Sequence, residues 1–286
     1  MDRLVTYFSF VRFSHSVFAL PFALAGALLA IRHAPVGNVT WQTAGWILVA
    51  MVAARSAAMG FNRLVDARLD ALNPRTANRE LPRGAMTMGE AAAFVTTASV
   101  VFLFASWRLS TLCLVLAPVA LGIVFWYSLA KRYTSYTQMF LGLAMAVAPV
   151  GGWLAVGGRG GGEPWILALA IGMWVGGFDV LYACQDLDFD RAHGLRSIPV
   201  RFGVPASLVI SRAMHVVTIL SLLALPLVTP LPRAYIAGVL CVAALLAYEQ
   251  SLVSAEDLSQ VKRAFDLNGY VGILYFIVLA VSVYGG

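Results

Sequence analysis

Charge is scarce in this chain. Asp, Glu, Lys and Arg make up 12% of its 286 residues, where a soluble globular domain carries about 25%. With 60% hydrophobic residues and a mean hydropathy of +0.81, that shortage excludes an ordinary soluble protein and implies a polytopic membrane protein. Lysine is almost missing: Lys131 and Lys262 are the two present, so the net charge of +6 is carried by arginine. The basic excess does not indicate a nucleic-acid partner, because the charges fall in short loops between apolar runs, which is membrane topology. Three cysteines, Cys113, Cys184 and Cys241, lie in apolar stretches with no pair at disulfide or metal spacing, which leaves them as small packing residues. The sequence has no glycine-rich nucleotide fingerprint, Walker motif or catalytic triad.

Long apolar runs are what it does have. Nine occur, at about 14–32, 41–61, 89–107, 110–130, 136–156, 164–184, 206–228, 232–250 and 268–284. Their length and Ala/Leu/Val content, without period-two alternation, predict helices rather than strands. Arg3 and Arg12 ahead of the first run look like the start of a signal peptide, but eight further runs follow, so it is read as a retained helix. With the N-terminus inside, Arg32, Arg108, Arg159 and Arg233 fall outside and the other sixteen of the twenty lysines and arginines fall inside, as the positive-inside bias requires. An N-in, C-out chain needs an odd number of spans, in agreement with nine. The expected fold is an all-α polytopic membrane protein with nine transmembrane helices. It forms one domain over 1–286, with four-helix repeats at about 14–130 and 136–250 and a closing helix at about 268–284.

Two acidic clusters repeat in the two long inner connections, about 62–88 and 185–205. The first is Asn62-x3-Asp66-x3-Asp70 and the second Tyr182-x3-Asp186-x3-Asp190, each member lying 120 residues after its counterpart. The offset spans four helices, an even number, so the halves run parallel and both clusters reach one face; inverted repeats would point to a transporter. Asn62, Asp66 and Asp70 share a helix face at i,i+4 spacing, with Arg55 two turns back on the same stripe. Asp179, Tyr182, Asp186 and Asp190, spaced 3, 4 and 4, are expected on one face as well. Carboxylates beside hydrocarbon are costly unless used. Hard oxygen ligands at the mouth of a bundle fit Mg²⁺, which binds through one or two carboxylates plus phosphate oxygens. The plainer alternative is that the acids pair with nearby arginines at the lipid–water boundary.

Basic tails follow both clusters: Arg79-Glu-Leu-Pro-Arg83 and Arg196-Ser-Ile-Pro-Val-Arg201. At the end of the fourth run, Tyr127-Ser128-x2-Lys131-Arg132 offers a point charge and a fork-shaped donor, both suited to phosphate and equally to positive-inside anchoring. Arg12 and His15, spaced i,i+3, could grip an acidic group or snorkel at the interface. His33 and His193 are loop residues without ligand spacing, and His215 is read as a packed polar partner of Arg212.

At these residues the chain resembles the UbiA family of intramembrane prenyltransferases. The likeness rests on Arg55-x6-Asn62-x3-Asp66-x3-Asp70 with Thr76-Ala-Asn-Arg79-x-Leu-Pro82, on Tyr127-Ser-x2-Lys131-Arg132, and on Asp179-x2-Tyr182-x3-Asp186-x3-Asp190, and it covers essentially the whole chain. Arg63 stands where many members carry a second acid, which leaves the first motif one ligand short. The opening Phe13-Ser-His15 through Pro21-Phe22 and the run Tyr182-Ala-Cys-Gln-Asp186 are similar to bacterial members acting on quinone precursors.

The resemblance implies Mg²⁺-dependent transfer of a polyprenyl group from polyprenyl diphosphate to a small aromatic acid. The acceptor it implies is 4-hydroxybenzoate (ubiquinone biosynthesis), with a dihydroxynaphthoate (menaquinone, futalosine route) as the alternative. It assigns Asn62, Asp66, Asp70, Asp186 and Asp190 to the metal and adds Tyr182 to the catalytic set. Arg79, Lys131, Arg132 and Arg196 go to the diphosphate. Arg12, Arg55, Tyr127, Ser128 and Asp179 go to the acceptor, Tyr127 and Ser128 also flanking Lys131. It further implies residence in the bacterial inner membrane with the active site on the cytoplasmic face. A different-class rival is an ion or metabolite transporter, which would hold such acids near the bilayer midplane on broken helices. An intramembrane alcohol phosphotransferase is a second, but its acidic motif is a single stretch.

Overall fold

The apolar runs fold as helices because hydrocarbon leaves the backbone no partner but itself. The computed structural model describes residues 3–11, 20–33 and 40–285, and these contain helices and no strand. In chain order the helices are α1 (Arg3–Phe10), α2 (Leu20–His33), α3 (Trp41–Leu72), α4 (Met88–Leu109), α5 (Thr111–Ala130), α6 (Thr137–Ala155), α7 (Glu163–Ala183), α8 (Leu187–Ala192), α9 (Ile198–Ala224), α10 (Arg233–Ser251) and α11 (Val261–Tyr284). Among the described residues eight segments are long and apolar enough to span a bilayer, and α2 is a shorter apolar helix. The chain is an integral membrane protein. The first expected span, 14–32, begins in residues outside the described ones, and α2 is its described part. Side chains such as Val115, Val119, Leu220, Ile277 and Val281, each more than half exposed, form the apolar outer surface that lipid covers.

Four element boundaries differ from the sequence expectation. Helix α3 does not stop near 61: starting from a Thr40 cap it runs for 32 residues, about 48 Å at 1.5 Å per residue. Hydrocarbon is about 30 Å thick, so the last turns, with Asn62, Asp66 and Asp70, extend past the apolar stretch. After α7 the chain tightens into a 3-10 turn over Cys184–Asp186. Three residues per turn replace 3.6 there, so Asp179, Tyr182, Asp186 and Asp190 do not form one regular stripe. Helix α9 starts at Ile198, capped by Ser197, and bends at Gly203, whose φ of 78° lies in the left-handed region open to glycine. Helix α11 begins at Val261 rather than near 268, because its first turn buries Val261 and Ala264 against Leu181, Leu208 and Val253.

Close helix contacts rest on glycine. A Cβ at Gly152 of α6 would collide with the Ala23 carbonyl oxygen of α2, and one at Gly26 of α2 with the Pro149 carbonyl oxygen of α6. Gly142 meets the Gly172 carbonyl of α7 in the same way. Small residues of this kind let membrane helices approach where no hydrophobic force separates helix from lipid. Beneath them lies the main core, including Phe22, Leu29, Trp153, Leu167, Trp174 and Tyr235.

Three loops meet at one end of the bundle. Arg75, after α3, pairs with Asp186, after α7. The Arg196 backbone N–H donates to the Lys131 carbonyl at 2.8 Å, and its Nη1 donates to the Tyr133 carbonyl at 2.7 Å. That end carries both acidic clusters.

The glycine contacts can be tested by a matched pair in α6. Gly152→Ala, which must push α2 away, should destabilise by about 1–3 kcal/mol. Gly151→Ala, with nothing within 4 Å of the added carbon, should be neutral. Thermal unfolding of the two variants in detergent checks this, and equal transition temperatures would contradict the packing.

Candidate active site

The first cluster comes from the overhanging end of α3. Asp66 is 2% exposed and accepts from Lys131 Nζ at 2.6 Å, Arg132 Nη2 at 2.8 Å and Asn62 Nδ2 at 3.4 Å. One turn on, Asp70 takes Arg79 Nη1 on both oxygens at 2.8 Å. Arg79 reaches it because Thr76 Oγ1 donates to the Asp70 carbonyl at 3.0 Å, folding the loop back on the helix. Two buried acids are thus neutralised by three cations, which offsets the desolvation that burial imposes.

The second cluster is held from across the bundle. Asp186 accepts Arg75 Nε on Oδ1 at 3.0 Å and Nη2 on Oδ2 at 2.6 Å, a two-pronged pair, with Asn73 Nδ2 at 3.3 Å from the same Oδ1. Arg75 Nη1 also donates to the Tyr182 hydroxyl at 3.0 Å. Burial pulls the Arg75 guanidinium down, but the hydrogen bond and charge of Asp186 more than compensate, so its pKa stands above the ordinary arginine value. Among the described residues the carboxylates of Asp179 and Asp190 have no hydrogen bond or ion pair, although the Asp190 carbonyl accepts the Leu195 backbone N–H at 2.9 Å.

A cavity of about 380 Å³ gathers these groups. Its walls include Asn62, Asp66, Asp70, Arg79, Lys131, Asp186, Asp190, Tyr182 and Arg196, and deeper in, Arg55, Tyr127, Ser128 and Asp179 beside Phe22, Trp174 and Phe178. Arg55 Nε and Ser128 Oγ are buried there without a hydrogen-bond partner. A second cavity of about 640 Å³, almost wholly apolar, lies between α3, α5 and α6 and shares Met51, Ala54, Val124, Ala144 and Ala148 with the first.

Most sequence-selected residues therefore converge. Arg132 is not in the cavity wall; its fork is committed to Asp66, to the Val65 carbonyl at 2.8 Å and to the Ser128 carbonyl at 3.2 Å, binding α5 to α3 from behind. Arg196 is in the wall but donates to Tyr133. Arg12 and His15 lie outside the described residues. His215 is a packed polar residue, donating from Nε2 to the Trp174 carbonyl at 3.3 Å and accepting at Nδ1 from Gln250 Nε2 at 3.0 Å. Arg63, in place of a second acid, faces Glu80 at 4.0 Å, both buried. Arg75 and Asn73 were not singled out by spacing. The signal was Asn73-Pro74-Arg75 just past the first cluster, where an Asn side chain can turn the chain; Asn73 Oδ1 indeed accepts the Arg75 backbone N–H at 2.9 Å.

Hard carboxylate oxygens from both halves line one cavity, and two of the carboxylates are unpaired, which suits Mg²⁺. Among the described residues no three acidic, His or Cys side chains are close enough to hold an ion by themselves. Asp66, Asp70 and Asp186 are each drawn to cations instead. The residues fit an ion whose remaining ligands are the oxygens of a bound phosphate, the usual mode for Mg²⁺.

Comparison with known proteins gives the same reading of the fold. The profile of the UbiA prenyltransferase family matches residues 19–278. A 4-hydroxybenzoate octaprenyltransferase of Citrobacter koseri is 33% identical over 246 residues, 84% of each chain. One from Aliivibrio fischeri is 29% identical over 287 residues, 99% of this chain and 98% of that one. The apo structure of a UbiA homologue from Aeropyrum pernix K1, 33% identical, superposes with a TM-score of 0.85 over 94% of this chain and 98% of that one. A UbiA homologue from Archaeoglobus fulgidus bound to DMAPP and Mg²⁺ has the same fold at 19% identity, with a TM-score of 0.72 over 96% and 99% of the two chains.

Proposed function

The chain belongs to the UbiA prenyltransferase family, and we propose that it transfers a polyprenyl group from polyprenyl diphosphate to an aromatic quinone precursor, with 4-hydroxybenzoate as acceptor. The observation that carries this reading is the juxtaposition of a cation- and carboxylate-lined cavity with an apolar one through a shared wall. A donor with a charged head and a long hydrocarbon tail has matching surfaces in both. The octaprenyltransferase relatives and the homologue bound to DMAPP and Mg²⁺ support the same substrate classes.

In this reading Asn62, Asp66, Asp70, Asp186 and Asp190 would hold Mg²⁺, which supplies charge neutralisation to the leaving diphosphate. Lys131 and Arg79 exchange their carboxylate partners for diphosphate oxygens and stabilise the charge that develops as the allylic C–O bond breaks. The bond's electron pair leaves with the diphosphate, a C–C bond forms between the allylic carbon and the ring, and loss of the ring proton restores aromaticity. Phe22, Trp174 and Phe178 keep water from the allylic cation and face it with aromatic rings. Arg132 supports the site by fixing Asp66. Arg55, with a buried and uncommitted Nε, takes the acceptor carboxylate beside Tyr127 and Ser128. With sixteen of twenty basic residues on one side, the N-terminus and the site face the cytoplasm of a bacterial inner membrane, the C-terminus is outside, and the span containing α2 is the first of nine.

Transport would need the acids near mid-membrane. Here Asp66 and Asp70 occupy the last turns of the 32-residue α3, and Asp186 and Asp190 follow the end of α7.

Two predictions follow from these roles. Asp66→Asn and Asp186→Asn each remove an anionic ligand at nearly constant volume, so each should abolish prenyl transfer while the folded protein remains in the membrane; parent-level activity at saturating Mg²⁺ would refute the metal assignment. Arg55→Ala should weaken acceptor binding by roughly 1.5–3 kcal/mol, the worth of a charge-assisted hydrogen bond, with the donor KM unchanged. Steady-state kinetics with each substrate varied decides this, and an unaltered acceptor KM would move the carboxylate elsewhere.

A further inference from the structure

Arg75 joins the two acidic motifs. From the loop after α3 it lays its fork on Asp186 at 3.0 and 2.6 Å, and its guanidinium carbon lies 5.4 Å from the centroid of the Tyr182 ring. Asn73 holds both members, accepting the Arg75 backbone N–H and donating to Asp186. Arg75 and Asp186 retain 35% and 19% exposure of their side chains and both border the cavity. A pair open to this extent can be reached by a competing anion, and a guanidinium fork accommodates phosphate oxygens as well as it does a carboxylate.

Arg75 and Asn73 together fill both lone-pair positions of Asp186 Oδ1 and one of Oδ2, so a metal ion gains more than a single position on this carboxylate only when Arg75 withdraws. We propose that Arg75 is a partner-exchanging residue that couples metal binding to diphosphate binding: it holds Asp186 until both ligands arrive, then yields the carboxylate to the metal and takes diphosphate oxygens. A metal ion alone must displace Arg75 without giving it a new anion. Diphosphate alone must draw Arg75 away and leave Asp186 unneutralised near Asp190. Together each ligand supplies what the other removes, so the two bind with positive coupling. This inference rests on the metal–diphosphate reading of the site.

The test uses Mn²⁺ binding, followed by electron paramagnetic resonance on the full-length protein in detergent, with and without inorganic diphosphate. In the parent, diphosphate should tighten Mn²⁺ about tenfold or more, within the usual range of coupling between sites. In Arg75→Gln, Mn²⁺ alone should bind about fivefold more tightly than in the parent, while the tightening by diphosphate shrinks by a similar factor. Arg83→Gln removes the same charge from an exposed position of the same loop and should behave as the parent. A purely structural Arg75 would weaken both measurements on removal, and an unchanged or weaker affinity for Mn²⁺ alone in Arg75→Gln overturns the proposal. Should that variant fail to fold, Arg75→Lys, which keeps the charge but loses the fork, must give intermediate values; parent values would overturn the exchange. If no protein binds Mn²⁺ with or without diphosphate, the metal–diphosphate reading itself falls, a different result from intact coupling insensitive to Arg75.

Discussion

Carboxylates held beside hydrocarbon must be neutralised, and that requirement shapes one whole end of this protein. Leaving a charge buried and unpaired costs several kcal/mol, so Asp66, Asp70 and Asp186 draw Lys131, Arg132, Arg79 and Arg75 onto themselves. Those cations come from the loops after α3 and α5, and the acids from α3 and the turn after α7. Of these pairs, Arg75–Asp186 ties the first half of the chain to the second. The same pairs leave the site balanced: each acid can pass to a metal only if its cation receives another anion, and a diphosphate is such an anion.

The rest of the bundle sets the boundary conditions for that exchange. Close approach of α2, α6 and α7 through Gly26, Gly142 and Gly152 makes a rigid wall on one side of the cavity. On the other side α3, α5 and α6 leave an apolar space that shares a wall with it. The paired carboxylates lie at helix ends, where α3 outruns the hydrocarbon, and the apolar space offers a long tail almost no hydrogen-bonding partner. The arrangement separates the head of an amphipathic substrate from its tail by construction.

Much of this was legible in the sequence because it is written in spacing. The i,i+4 acids of 62–70 fall on one face of α3 as their period requires, and their repetition 120 residues later led to one shared site. What spacing could not give were interactions formed across the fold. Arg75 is an ordinary inner-loop arginine in sequence and becomes a bridge only when the turn after α7 comes within reach. Arg132 matched a phosphate-binding pattern, yet its geometry places it behind Asp66, because the end of α5 packs alongside α3. The 3-10 turn at Cys184–Asp186 is likewise invisible to a count of fours, since it changes the period in mid-motif. The early starts of α9 and α11 were missed for a simpler reason: their first turns are amphipathic and bury residues outside the apolar window.

The central claim is that these paired charges serve the departure of a diphosphate in favour of an aromatic acceptor. Its most direct test is to incubate membranes containing the protein with labelled polyprenyl diphosphate, Mg²⁺ and a panel of aromatic acids that includes 4-hydroxybenzoate and a dihydroxynaphthoate. Transfer of the label to the ring of one acid, with equimolar release of diphosphate and loss of both on chelation of the metal, is the expected result. Absence of any prenylated acid across the panel, from protein shown to be folded and to bind the donor, would contradict it.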